Sequence, residues 1–121
     1  MLKPIYRLKK RKTFNYIYRN GKSVGADCLT LVYTYCKPKG GVADSGVGGI
    51  LVGFSASKKV GNSVVRHRTV RKMREAVRPL LANMAPNHNY IFVAKDVIRE
   101  KTVIEIKQVC EKVLKKAGLW K

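Results

Sequence analysis

The stretch SKKVGNSVVRHRTVRKMREAVR, Ser57 to Arg78, carries eight Lys and Arg and a single acid, Glu75. It is also amphipathic. At 100° per residue, Thr69, Val70, Met73, Val77, Leu80, Leu81 and Met84 fall within one sector of roughly 120°. That sector needs a partner surface, and the spacing predicts that it packs on a sheet. His67, Arg71, Arg74 and Arg78 occupy the adjoining flank, with Arg68 and Lys72 further round. Asn62 is a good N-cap, which starts the helix near Ser63. Pro79 cannot donate a backbone hydrogen bond, so a kink or break is expected there. Arg66 is the misfit, because it lies on the apolar meridian. Burying an unpaired guanidinium is costly, so Arg66 is expected to emerge past the end of the packed face. There it would join Lys58, Lys59 and the free N–H groups of the helix start as a polyphosphate site.

The rest of the chain extends this bias. Net charge is +19, from 26 Lys and Arg against 7 Asp and Glu. Such charge destabilises a compact state through self-repulsion, and a polyanion relieves it, with nucleic acid the leading candidate. The 45% hydrophobic content is enough for one small core, so this is not a disordered tail. No apolar run approaches the ~20 residues of a spanning helix. The opening MLKPIYRLKKRK is basic but has no apolar segment, which argues against a secretory signal. Three cysteines, Cys28, Cys36 and Cys110, with no C-x-x-C pair, argue against a disulfide framework or zinc site and fit a reducing cytoplasm.

One domain is expected over residues 1–121, with residues 1–12 as a flexible basic arm. Phe14, Ile17 and Tyr18 recur at helical spacing before Gly21, which predicts a helix of about two turns from Thr13. CLTLVYTYC alternates, with Leu29, Leu31 and Tyr33 on one face and Thr30, Val32 and Thr34 on the other, as a strand with one buried face does. KPKGGVADSGVGG (37–49) lacks the G-K-[ST] of a phosphate loop, and GKS at 21–23 lacks the glycine five residues earlier. Both read as turns, the longer one as a simple hairpin connection. ILVGFSAS (50–57) puts Ile50, Val52, Phe54 and Ala56 on one side. On the other lie Leu51, Gly53, Ser55 and Ser57, then Lys59, facing either solvent or something that approaches the backbone. NYIFVAK (89–95) is apolar on both faces and reads as a central strand. Thr102 opens the last helix with a capping box to Glu105.

No catalytic set emerges. The seven acids, Asp27, Asp44, Glu75, Asp96, Glu100, Glu105 and Glu111, are scattered, and His67 and His88 are distant in sequence. Two-metal hydrolysis needs clustered carboxylates, and a general base needs a partner.

Together these features resemble the protein subunit of bacterial ribonuclease P over nearly the whole chain. The resemblance rests on the basic arm, the F-x-x-[VIF]-[FY]-x-x-G helix, the alternating strand, VGFSASKKVGNSVVRHRTVRKMRE and YIFVAK. The specific core is K-K-x-G-N-x-V-x-R-N-R-x-x-R-x-x-R-E. It falls on Lys58, Lys59, Gly61, Asn62, Val64, Arg66, His67, Arg68, Arg71, Arg74 and Glu75. His67 stands where the family usually has Asn, and Val70 where Lys is common.

The resemblance implies an α/β (α+β) two-layer sandwich, a small mixed sheet with helices and a left-handed β-α-β crossover. It implies removal of the 5′ leader from precursor tRNA by a catalytic RNA that uses magnesium, with no protein-only metal site. The catalytic RNA would be bound by Lys58, Lys59, Asn62, Arg66, His67, Arg68, Arg71 and Arg74. A cleft for the leader would use Phe14, Tyr18, Ser55, Lys59 and Lys95, with core packing an even alternative for Phe14 and a lesser one for Tyr18. The first-strand aromatic of some members aligns with Val32, and Tyr33 is one residue off, so neither is assigned. The chain is expected to be cytoplasmic, free of membrane, and monomeric without RNA. A ribosomal or other structural RNA-binding protein would share the charge and a similar fold.

Overall fold

A computed structural model describes residues 11–35, 50–85 and 87–120 and, within these, the side chains from residue 14 onward. Most of the basic arm (1–10), the 37–49 loop and Cys36 lie outside the described residues. The elements are α1 (Arg11–Asn20), β1 (Lys22–Gly25), β2 (Leu29–Tyr35), β3 (Ile50–Ala56), α2 (Ser63–Val77), β4 (His88–Ala94) and α3 (Val103–Lys116). Two 3₁₀ segments, Arg78–Asn83 and Asp96–Glu100, lead into β4 and α3. Helix α1 starts at Arg11, two residues before the predicted Thr13, so the last two residues of the arm are helical.

The four strands lie in the order β1-β2-β4-β3, with β4 antiparallel to β2 and parallel to β3. Strands β2 and β3 therefore flank β4 rather than each other, and the simple hairpin expected from the 37–49 loop does not exist. Strand composition explains the placement. Tyr90, Ile91 and Phe92 are fully buried on alternating sides, so β4 gains most at the centre. Strand β3, with Gly53 and Ser55 on one side, loses least at the edge. Strand β1 was missed in the sequence because only Val24 among its residues is partly buried. Its backbone pairing with β2 carries it.

Helices α2 and α3 form the second layer of the expected sandwich. Met73, Ala76 and Val77 of α2 and Ile106, Cys110, Val113 and Leu114 of α3 close over Leu29, Leu31, Val52, Tyr90 and Phe92. Cys28 is buried in this core as well, and burial pushes both thiols above their ordinary range. On the opposite face α1 adds a smaller contact, Ile17 against Val32 and Ile91. Strand β2 was expected to bury one face only. Val32 and Thr34 are buried too, Val32 because Ile17 packs on it.

The sequence punctuation is used where expected. The Asn62 side chain accepts from Val65 N at 3.0 Å and caps α2. Gly61 precedes it with φ 153°, and a Cβ there would lie 2.7 Å from Val65, so only glycine allows this entry into the helix. Helix α2 stops at Val77, and the Pro79 segment winds as 3₁₀.

Candidate nucleic-acid interface

Two surfaces of different chemistry result. The first is the flank of α2. Lys58 and Lys59 are exposed in the turn between β3 and α2, pinned by buried Val60 and by a Gly61 N–H to Lys58 carbonyl bond of 3.2 Å. From α2 itself, Ser63, Arg66, His67, Val70, Arg71 and Arg74 form the wall of a groove of about 400 Å³ whose floor is Phe54 and Ala56 of β3. Arg68 lies on the far side of the helix and is exposed. Lys72 turns toward α3, its Nζ donating to the Lys101 carbonyl at 3.2 Å. Six of the eight residues expected to meet the RNA thus share the turn and the groove wall, with Asn62 at their junction. Arg68 points elsewhere.

Arg66 departs from expectation. It does not clear the packed face but lies half-buried in the groove, and its Nε is buried without a hydrogen-bond partner. It can sit there because β3 is the edge of the sheet and no further strand closes the groove among the described residues. Phe54, Ala56, Ser63 and Val70 were not read as site residues. Phe54 shares the core face of β3, and only the edge position of that strand exposes its flank.

The second surface is the α1 face. Phe14 is half-buried at the margin of the Ile17–Val32–Ile91 contact, beside Leu51 and Val93. Tyr18 follows one turn later with 45% of its surface exposed, its ring 6.5 Å from that of Phe14. Phe14 is thus partly core, whereas Tyr18 presents a ring to solvent. Ser55 pairs with Val93 on this same face. Lys95 continues it beyond β4, and its Nζ donates to the Ala26 carbonyl at 2.6 Å, which ties it to the turn between β1 and β2. Lys59 lies three residues past the end of β3, exposed in the same turn as Lys58. Val32 is core, and Tyr33 faces the other way, 6.5 Å from His88. Neither supplies an aromatic to this face.

Gly21 makes the α1 face possible. A side chain there would run into the Ile17 carbonyl and lie 2.8 Å from that of Tyr33, so any other residue would lift α1 off the sheet. Among the described residues no three His, Cys, Asp or Glu side chains gather as metal ligands would, and no helix is long and apolar enough to cross a membrane.

A guanidinium-lined groove beside one helix and a half-buried and an exposed aromatic on another, in a chain of charge +19, define an RNA-binding α+β protein. Comparison with known proteins narrows the class. Residues 2–118 match the family Ribonuclease P. The ribonuclease P protein component of Clostridium botulinum (strain Eklund 17B / Type B) is 40% identical over 116 residues, covering 96% of this chain and 91% of that protein. That of Staphylococcus carnosus is 38% identical over 115 residues, covering 95% and 92%. Among solved structures, the Staphylococcus aureus RNase P protein is 27% identical with a TM-score of 0.77, covering 96% of this chain and 98% of that one. The Thermotoga maritima protein shares the fold at 16% identity, with a TM-score of 0.75 and coverage of 91% and 96%. The chain belongs to the ribonuclease P protein family. The ribosomal alternative raised by the sequence is not supported.

Proposed function

We propose that this chain works as the RNA-binding subunit of ribonuclease P and leaves the chemistry to the RNA. The observation that carries the reading is the separation of the two surfaces. The turn at Lys58 and Lys59, with Asn62, Arg66, His67, Arg71 and Arg74, offers fixed cations to the phosphates of the catalytic RNA, and Arg68 extends this contact round the helix. The α1 face takes the single-stranded 5′ leader of precursor tRNA. Stacking on Tyr18 and the open edge of Phe14 tolerates any base sequence, and Ser55, Lys59 and Lys95 supply polar contacts along the strand. Magnesium serves the RNA-catalysed hydrolysis. The chain acts in the cytoplasm, as a monomer until RNA binds.

The test is reconstitution. Precursor tRNA with magnesium should be cut at the mature 5′ end by the RNA subunit plus this chain, and left intact by the chain alone. One solved relative, 29% identical, is a Staphylococcus aureus mutant described as having defective mRNA degradation activity, so an unstructured mRNA belongs in the same assay. A leader cut, or mRNA cleavage that copurifies with the folded chain through successive columns, would place catalysis in the protein and overturn the division of labour.

A further inference from the structure

Docking a helix flank onto a phosphate backbone needs charge but no pocket. The flank of α2 nevertheless borders a groove of about 400 Å³, within the range of roughly 300–1,000 Å³ typical of small-ligand sites. We propose that this groove takes one nucleotide extruded from the bound RNA, with the base against Phe54 and Ala56 and the phosphate at Arg66. The proposal rests on the RNA-binding reading and adds a discrete subsite to it.

The floor suits a base. Phe54 is braced from inside the sheet by Phe92, with ring centroids 5.9 Å apart and planes 19° from parallel, so the ring is fixed rather than free to swing. The Arg74 guanidinium lies 6.0 Å from the centroid of the same ring. A flat cation beside a flat hydrocarbon ring is the pair between which an unstacked base is held in single-stranded RNA recognition. Ala56, the next residue on that side of β3, is small and leaves the floor open.

The wall suits a phosphate. Arg66 Nε is buried and makes no hydrogen bond within the protein, and a buried donor without an acceptor is unfavourable. A phosphate oxygen is an acceptor, and its charge answers Arg71, with His67 beside it in the groove lining. The third side is the outer edge of β3. Among the described residues that strand pairs only with β4, so its outward backbone N–H and C=O groups can meet the polar edge of a base.

The test uses the full chain and three probes: inorganic phosphate, ribose 5-phosphate and AMP. Binding is followed by amide chemical shifts. AMP should shift Phe54, Ala56 and Val70. It should bind roughly 5- to 150-fold more tightly than ribose 5-phosphate, the factor that one stacked base supplies. Phe54→Leu should remove that advantage and leave ribose 5-phosphate unchanged, while Arg66→Met should weaken all three probes. If Phe54→Leu unfolds, Phe54→Tyr keeps a ring and should keep the advantage. Equal affinity for AMP and ribose 5-phosphate would overturn the proposal, as would shifts confined to the α1 face around Tyr18. Either result would leave docking of the catalytic RNA on α2 intact, because that reading is measured separately by assembly and cleavage.

Discussion

The two faces of the sheet do different work. The face under α2 and α3 is closed by a continuous core in which Tyr90, Phe92, Leu31, Met73 and Leu114 are fully buried. On the other, among the described residues, Ile17, Val32 and Ile91 form a small buried apolar cluster, with Phe14, Leu51 and Val93 half-covered at the margin. Stability therefore resides on one side, and the other is free to present side chains it does not need for folding. An aromatic left 45% exposed on a marginal helix costs the fold little, and it can meet an RNA strand.

The strongest way to break this comparison is to cut into both faces. Phe92→Ala should cost ~3–5 kcal/mol, as expected of a fully buried aromatic, read from denaturant or thermal unfolding. Phe14→Ala, half-buried at an edge, should cost much less. Equal losses would mean that the α1 face is as much a part of the core as the other. Tyr18→Ala sharpens the same point. It should leave the melting temperature unchanged and weaken binding of leader-bearing precursor tRNA to the assembled enzyme by ~1–3 kcal/mol, while mature tRNA binds as before. A lower melting point together with uniform weakening of every ligand would make Tyr18 a core residue.

Charge on α2 should behave differently from both. Arg71 lines the groove and Arg68 projects from the far side of the helix, so neither substitution to Ala disturbs the buried Thr69, Met73, Ala76 and Val77. Each should lower affinity for the catalytic RNA by roughly tenfold at ~0.1 M salt. Each should also flatten the logarithmic salt dependence by about 0.7–0.9 per lost phosphate contact. Flattening with Arg71→Ala but not Arg68→Ala would confine the RNA to the groove side.

How far this was readable from the sequence follows from what patterns encode. The apolar sector of α2, the Asn62 cap, the break at Pro79 and the central position of β4 are local, and period and cap chemistry revealed them. Strand β1 was invisible because an exposed edge strand is specified by its partner's backbone rather than by its own side chains. The separation of β2 from β3 was missed for a related reason: Leu29–Tyr35 and Ile50–Ala56 alternate in the same way whether they pair or flank a third strand. The groove follows from that separation. Phe54 counts as core in any strand pattern, and only its place at the sheet edge, opposite Arg66 and Arg74, makes it a candidate binding surface. The specific run from Lys58 to Glu75 carried the family, but where Arg66 would rest depended on the edge.

The smallest effect belongs to α3, which faces no proposed RNA. Its start is a closed pair of bonds: Glu105 N donates to Thr102 Oγ1 at 3.2 Å, and Thr102 N donates to Glu105 Oε1 at 3.2 Å. The Thr102 backbone N–H, then its hydroxyl, hold the Glu105 carboxyl below its ordinary value of 4.5. A depressed carboxyl stabilises the fold above its unfolded pKa, and that contribution is lost as pH falls through the folded one. Thr102→Ala should therefore have two signatures. The missing cap lowers stability at neutral pH by about 0.5–1 kcal/mol, and the acid-side decline below about pH 4.5 becomes shallower, because Glu105 then titrates closer to its unfolded value. RNA affinity and its salt slope should not move. If Thr102→Ala weakens RNA binding while the melting curve is unchanged, α3 joins α2 in the interface and is no longer a purely structural helix.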